Sequence, residues 1–533
     1  MNSETNNLLN SANKSNYSSV PEPEDYGYVS DGRSVSSTDT CTNRFRLMSP
    51  DYENPEDQYE EIIGTTSMSE EIRVIFSSSV PLTLTFFMEY AMTVSSLFII
   101  GHFGLPENLA SASLAVMTFN ITGLAVIEGM ATSLDTFCPQ AYGAQKFSKV
   151  GLYFLRCTMM IFVTSLPIVL LWWCSKSWLV YVIPEHDLLD EVQLFLRILS
   201  FGIPGLIFFE TGKRFVQAQG FYEASTWALA ITVPLNIGLS IYLTKTFGFC
   251  GAPTAIALTY WIMALILLLY CLFMEPSTLQ CWYPINASRF HVKRVFSNWG
   301  PMCKLAIPGL MMIESEYLSF EVLTIMSTHF GVEAIAAQSV IANLGSLIYQ
   351  IPFAMGCVVS TRVAHYIGME RLASAAIAVK ASYLVGASAG IFNFTVLILG
   401  NKWLARLFTN DEVVIELAHQ VAPILAVNQL YDAITTFSAA ILRGQGRQAV
   451  GGISNIIAYY VIALPLSGWF AFGPLHLEIK GLWYGCGIGI FLLALTLTFF
   501  VYRSNWTKIL EDFLAREENE YEVDLSSIDT NEL

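Results

Sequence analysis

Three glutamates, Glu314, Glu316 and Glu321, interrupt a run from Leu305 to Met326 that is otherwise largely apolar and long enough to cross a membrane. A bilayer core takes about 20 apolar residues to span, and an ionised carboxylate at its centre costs at least about 2.5–3.5 kcal/mol. A carboxylate at that depth either sits near a helix end or hydrogen-bonds to a neighbouring helix, or it faces a watered cavity and handles protons or a cation. Three in one segment point to the second role. The chemistry is electrostatic. Low dielectric disfavours the charged form, so a buried carboxyl group can hold a proton near neutral pH, whereas an arriving cation favours the ionised form and expels that proton. Competition of a proton and a cation for one charge is antiport in its simplest form. A gradient of one pH unit supplies about 1.4 kcal/mol per proton.

Helical geometry constrains which acids can cooperate. Glu314 and Glu321 are seven residues apart, about 20° from a common face. Glu316 and Glu321 are five apart, about 140° around a straight helix, so they meet different neighbours unless the helix is distorted. Further acids lie in apolar surroundings at Glu89, Glu128, Asp135 and Asp432, and Glu128 and Asp135 are again seven apart. Glu89, Glu128, Asp135 and Glu314 are secondary candidates, for which a structural hydrogen bond is an equal expectation.

The elements that must position these acids are membrane helices. The 533 residues are 53% hydrophobic and 14% charged, with a mean hydropathy of +0.49, which excludes a soluble globule. The net charge of −16 comes from the ends of the chain: residues 1–72 carry a net −10 and residues 504–533 a net −7, leaving the apolar part near neutral. The acidity therefore implies no nucleic-acid partner. Scattered cysteines without a C-x-x-C pair, and histidines without H-E-x-x-H, give no metal site, no disulfide framework and no cofactor.

Twelve apolar runs are expected to be transmembrane helices, an all-α polytopic membrane protein. Residues 1–70 read as a disordered acidic tail, 71–274 as a first lobe of helices 1–6, and 275–300 as a linker. Residues 301–507 read as a second lobe of helices 7–12, and 508–533 as an acidic tail. Fifteen Lys and Arg fall to the side of the termini and five to the other, so the tails and linker are expected in the cytosol. No cleavable signal peptide is expected. Glu4, Leu8 and Leu9 resemble an acidic dileucine sorting signal, which favours a vacuolar or lysosomal membrane over the plasma membrane.

The chain repeats itself. Val80-Pro81, Glu89-Tyr90 and His102-Phe103-Gly104 recur as Ile307-Pro308, Glu316-Tyr317 and His329-Phe330-Gly331 at an offset of 227. Ala218-Gln219-Gly220 returns as Gly444-Gln445-Gly446 at 226. Six helices separate the copies, so the two lobes run the same way through the bilayer and are related by an axis along its normal. A duplicated six-helix bundle with a central cleft is a transporter architecture.

Several stretches carry a family likeness: Gly129 through Asp135, Pro139-Gln140 and Gly143-Ala144 after helix 2; Lys213-Arg214-Phe-Val-Gln-Ala-Gln219-Gly220; Glu316-Tyr-Leu-Ser-Phe-Glu321; and Leu442-Arg443-Gly444-Gln-Gly446-Arg-Gln448. Together they resemble the eukaryotic multidrug and toxic compound extrusion family, of fungal type, over about residues 70–507. The major facilitator signature between helices 2 and 3 is absent. The resemblance implies an antiporter that exports or sequesters organic cations, drugs or metabolites in exchange for H⁺ or Na⁺ by alternating access. It assigns coupling to Glu316, Glu321 and Asp432, and with it Tyr317, Gln140 and Gln338 are expected to line the substrate cavity. Two departures stand out. The aromatic pair between the helix 7 acids is Tyr317-Leu318, and the position of the bacterial helix 1 aspartate is Ser96.

The chain is expected to act as a monomer embedded in lipid. Two other functions remain open. A flippase for lipids or lipid-linked sugars would want a basic cavity, whereas the buried charge here is acidic. A membrane acyltransferase would rest on His186-Asp187 alone.

Overall fold

The computed structural model describes residues 66–103, 106–181, 188–283, 292–409 and 411–528. Glu4, Leu8 and Leu9, nearly all of the N-terminal tail, and His186-Asp187 lie outside these residues. No strand occurs among the described residues. The chain forms α1 (Met68–Phe103), α2 (Asn108–Gly143), α3 (Phe147–Trp173), and α4, made of Leu189–Ser200 and Ile203–Ala218. Then follow α5 (Glu223–Phe247) and α6 (Gly251–Leu269). The second half holds α7 (Gly300–Ser327), α8 (Val332–Gly368), α9 (Leu372–Arg406), α10 (Glu412–Gly444), α11 (Gln448–Phe472) and α12 (Glu478–Tyr502).

Nine stretches among the described residues are long and apolar enough to cross a membrane by themselves. The other three spans are hidden for separate reasons. Glu223–Met274 is one continuous apolar stretch that folds back at Gly248, whose φ of +62° suits glycine. Its two arms then run antiparallel, with Asn236 Nδ2 donating to Thr259 Oγ1 at 2.9 Å. The two parts of α4 are bent by 54°. The 28-residue α7 has the length, but its three glutamates lower its hydropathy.

The lobes trade helix ends. One core joins residues of α1–α6 and takes in Met302, Leu305 and Ala306 from the start of α7. The second lobe's core takes in Ile75 from the start of α1. Each lobe therefore inserts its first helix into the other, at the end of the bundle where residues 66–71 also lie. There the backbones nearly touch. A Cβ on Gly143 would meet the carbonyl oxygen of His365, and one on Gly368 would meet that of Gln140, so neither position has room for a side chain.

The acidic C-terminal stretch is structured. Residues Trp506–Ile528 form a helix, α13, whose Ile509 and Phe513 join the second lobe's core and whose later side chains reach the first lobe. Glu517 bonds Lys146 and Lys149 at 2.7 and 2.8 Å, and Glu520 bonds Arg156 at 2.6 Å. Arg516 donates to Gln140 Oε1 at 3.0 Å and stacks over Phe137. The two lysines hold the Glu517 carboxyl below its ordinary value although burial pushes it up. Burial also lowers Arg516 from its ordinary value.

Candidate functional site: carboxylates of two lobes

In the first lobe three acids, Glu89, Glu210 and Asp135, are answered by bases. Pairing starts on α4, where Glu210 stands three and four residues before Lys213 and Arg214, the spacing that stacks side chains on one helical face. Lys213 Nζ lies 2.9 Å from Glu210 Oε1 and 2.8 Å from Glu89 Oε1 of α1. Arg214 Nη1 reaches Glu210 Oε2 at 2.8 Å, and its Nε reaches Asp135 Oδ1 of α2 at 3.3 Å. Asp135 is also 3.8 Å from Arg443 of the second lobe. Glu128 is half-buried beside this cluster, and among the described residues no ion pair reaches its carboxylate. Ser96, at the bacterial aspartate position, is buried and donates to Asn236 Oδ1 at 3.3 Å.

In the second lobe the acids have no such partners. Among the described residues no ion pair reaches Glu314, Glu316, Glu321 or Asp432. Asp432 is 9% exposed, and its carboxylate accepts from Gln429 Nε2 at 3.5 Å, a marginal bond. Glu316 and Asp432 lie close enough to repel each other, and Tyr349, Tyr459 and Cys486 sit within reach of both charges. One buried oxygen of Glu314 has no hydrogen-bond partner. Because α7 is an unbroken α-helix through this region, Glu321 points away from the Glu316–Asp432 pair, as the 140° separation requires.

Tyr317 joins the two halves of the site. Its ring is 45% exposed, and its hydroxyl lies within electrostatic reach of Glu128 and Glu89 on one side and of Glu316 and Glu314 on the other. Gln140 and Gln338 sit elsewhere. Gln140 is 2% exposed in the seam between lobes, its amide donating to Gly444 O at 3.1 Å. Gln338 is buried in the second lobe and accepts from Trp483 Nε1 at 2.8 Å.

The seam contains a second ion pair. Glu71, fully buried at the start of α1, accepts from Arg362 of α8 at 2.6 and 3.2 Å, from Tyr366 at 2.6 Å and from Thr66 at 2.9 Å. Thr136 bonds Arg443 O, and Gln448 bonds Thr132 O, at the same end. Among the described residues the polar bonds between lobes all lie at this end, apart from Tyr90 Oη to Asn343 Oδ1 at 2.7 Å, an exposed bond farther along α1 and α8. The bundle is closed at the end that carries its termini.

Sequence reasoning missed Glu210, Glu71, Tyr349, Tyr459 and Cys486. Glu210 had a signal, its i+3 and i+4 spacing to Lys213 and Arg214. Those two bases, with Arg362 and Arg443, belong to the fifteen charges on the side of the termini, yet all four are helical and bind carboxylates or lie in the seam. Removing them leaves eleven against five, so the bias keeps its sign.

A two-lobed bundle of twelve apolar helices with carboxylates at mid-depth defines a multi-pass membrane transporter rather than an enzyme. The chain belongs to the MatE family, whose model matches residues 81–242 and again 308–469, the second match starting 227 residues after the first. It is 38% identical to an uncharacterized transporter of Saccharomyces cerevisiae over 86% of its own length, and spans 65% of that relative. It is 26% identical to multidrug and toxin extrusion protein 2 of Mus musculus over 82% of this chain and 75% of that one. Among solved structures it is similar to the eukaryotic MATE transporter AtDTX14, with a TM-score of 0.76 and 27% identity over 84% of this chain and 98% of that one.

Proposed function

We propose that the protein is a secondary antiporter that moves small organic cations or drug-like molecules against H⁺, with Na⁺ as the alternative coupling ion. The observation that carries this reading is the set of second-lobe acids that no ion pair reaches among the described residues, Arg443 acting on Glu316 only at longer range. A carboxylate already neutralised by lysine has little to offer a proton or an organic cation. Half-buried Glu316 and buried Asp432 repel each other and gain from any positive charge placed between them. Glu321 serves the same exchange from another face of α7, and Tyr317 offers its ring to the cation.

Alternating access then requires the lobes to rock about this site. The seam at the end carrying the termini is closed here, and turnover must break Glu71–Arg362 and lift α13 from the loop after α2. That end is assigned to the cytosol on the Lys and Arg bias, which leaves the opposite, lumenal or external, end to open in this state. The vacuolar or lysosomal address rests on Glu4, Leu8 and Leu9. A fluorescent fusion with both leucines changed to alanine is expected to leave that membrane, and an unchanged location would remove the motif. Phosphate-bearing lipids fit the acidic second-lobe site poorly.

The deciding experiment is uptake of a fluorescent organic cation into vesicles carrying the purified protein, first under an imposed pH gradient and then under an imposed Na⁺ gradient. Accumulation driven by the pH gradient alone is expected. Accumulation indifferent to both gradients would end the antiport reading.

A further inference from the structure

The first-lobe cluster has the composition of an ammonium receptor. Lys213 Nζ is held between two carboxylates, Glu89 at 2.8 Å and Glu210 at 2.9 Å. Two aromatic faces close over it, with ring centroids 5.1 Å away at Phe86 and 5.5 Å away at Phe209. Carboxylates and aromatic faces around a nitrogen cation are what recognises free alkylammonium ligands. The lysine is almost fully enclosed, its side chain 3% exposed, whereas Glu89 keeps 20% of its side-chain surface, so one wall of the cage is reachable from outside.

The repeat shows that this cage is peculiar to one lobe. At the offset of 227 that relates Glu89 to Glu316, Phe86 corresponds to Ile313. At the offset of 226 that relates Gln219 to Gln445, Lys213 corresponds to Ala439, Glu210 to Thr436 and Phe209 to Thr435. The second lobe keeps the α1-type acid and has lost the amine, the second carboxylate and both rings. The first lobe has kept an acid in the same place and filled it with a cation from its own chain.

We propose that Lys213 is a tethered substitute for an alkylammonium ligand: it occupies a cation cage in the first lobe and so confines mobile cations to the second. The cage without its lysine should accept a primary alkylammonium ion whose chain replaces the missing methylenes. Truncating Lys213 to alanine removes three carbons and the nitrogen, which is the size of n-propylammonium. The assignment of the second lobe to mobile cations rests on the antiport reading; the cage itself does not.

The test uses the full chain in detergent with Glu316→Gln and Asp432→Asn in place, so that binding in the second lobe cannot contribute. Adding Lys213→Ala to that background is expected to lower the melting temperature. n-Propylammonium chloride is expected to restore about 2–4 °C of the loss, while n-propanol and NaCl at equal concentration restore less than half as much. The protein that keeps Lys213 should not respond. Equal effects of n-propanol and n-propylammonium, or none from either, would overturn the proposal. If Lys213→Ala yields no folded protein, the charge-balanced pair Lys213→Ala and Glu89→Gln takes its place. Glu210 and both rings remain there, and a smaller response that still exceeds that of n-propanol is required. Failure of antiport with cage binding intact would sink the second-lobe reading alone.

Discussion

The two lobes descend from one repeat, yet they treat their buried acids in opposite ways. In the first, Glu89, Glu210 and Asp135 are tied into a lattice with Lys213, Arg214 and Arg443. In the second, Glu316 and Asp432 lie within electrostatic reach of each other without an ion pair among the described residues, with tyrosines and a cysteine for neighbours and Arg443 acting on Glu316 at longer range. The difference turns on few side chains, since Lys213 and Arg214 fall at Ala439 and Ala440 when the repeats are aligned at 226. A satisfied ion-pair lattice rigidifies, and its carboxylates are not available to a passing cation. An unpaired buried carboxylate is costly, and a protein that keeps several has a use for the charge they seek. One lobe thereby has the character of an anchor, and the antiport proposed above would place exchange in the other.

The largest effect should come from erasing that difference. Ala439→Lys places an amine at the second-lobe counterpart of Lys213, where it should neutralise Glu316. Cation efflux is expected to fall at least about 100-fold with normal folded yield, and the neutral substitutions Glu316→Gln and Asp432→Asn about 10–100-fold each. Glu321→Gln should also lose efflux, and Glu314→Gln least of the four. Near-wild-type efflux in Glu316→Gln, Glu321→Gln and Asp432→Asn together would mean that these acids are structural and the lobes are alike.

The converse change in the first lobe should strike folding instead of coupling. Glu210→Gln strands part of the charge of Lys213 and Arg214 at a site 3% exposed, and removing one partner of a buried pair costs about 3–5 kcal/mol. Thermal unfolding in detergent is the readout. A variant as stable as the parent would show that the lattice is not an anchor.

A smaller effect is expected at the seam. Glu71→Gln weakens the bonds to Arg362, Tyr366 and Thr66. The ratio of closed to open lobes at that end should fall about 10-fold, read as longer distances between spin labels on the two lobes. Unchanged distances would move the gate elsewhere.

The least should come from pH at α13. Glu517 has its carboxyl held below the ordinary 4.5, so its contribution to docking is complete above that value. It fades only as pH falls through the lowered one. Hydrogen exchange of α13 is expected to be constant from about pH 5.5 to 8 and to rise in stronger acid. A loss of protection near pH 7 would require another group.

Much of this was readable without coordinates. Run length and turn residues announce twelve membrane helices, and identical words at a fixed offset announce the duplication. Charge inside apolar runs marks seven acids, and the family resemblance singles out Glu316, Glu321 and Asp432 among them. These signals are local, because a membrane helix satisfies its own backbone and must be apolar along its length whatever it touches. The 140° between Glu316 and Glu321 is likewise local geometry, and α7 keeps it.

What a one-dimensional pattern could not settle was which charges meet. Lys213 and Arg214 look the same in sequence whether they end a helix in water or reach across to α1 and α2. Glu71 reads as a helix lead-in until α8 brings Arg362 to it across 291 residues. The acidic C-terminal stretch reads as a solvated tail because its partners, Lys146, Lys149 and Arg156, lie in the other lobe. Pairing depends on distance in space and on the dielectric around the pair, and both are set by how the helices pack. The chain determined by itself where its acids would be buried; the tertiary structure decided which of them would be paired with a base and which left without an ion pair.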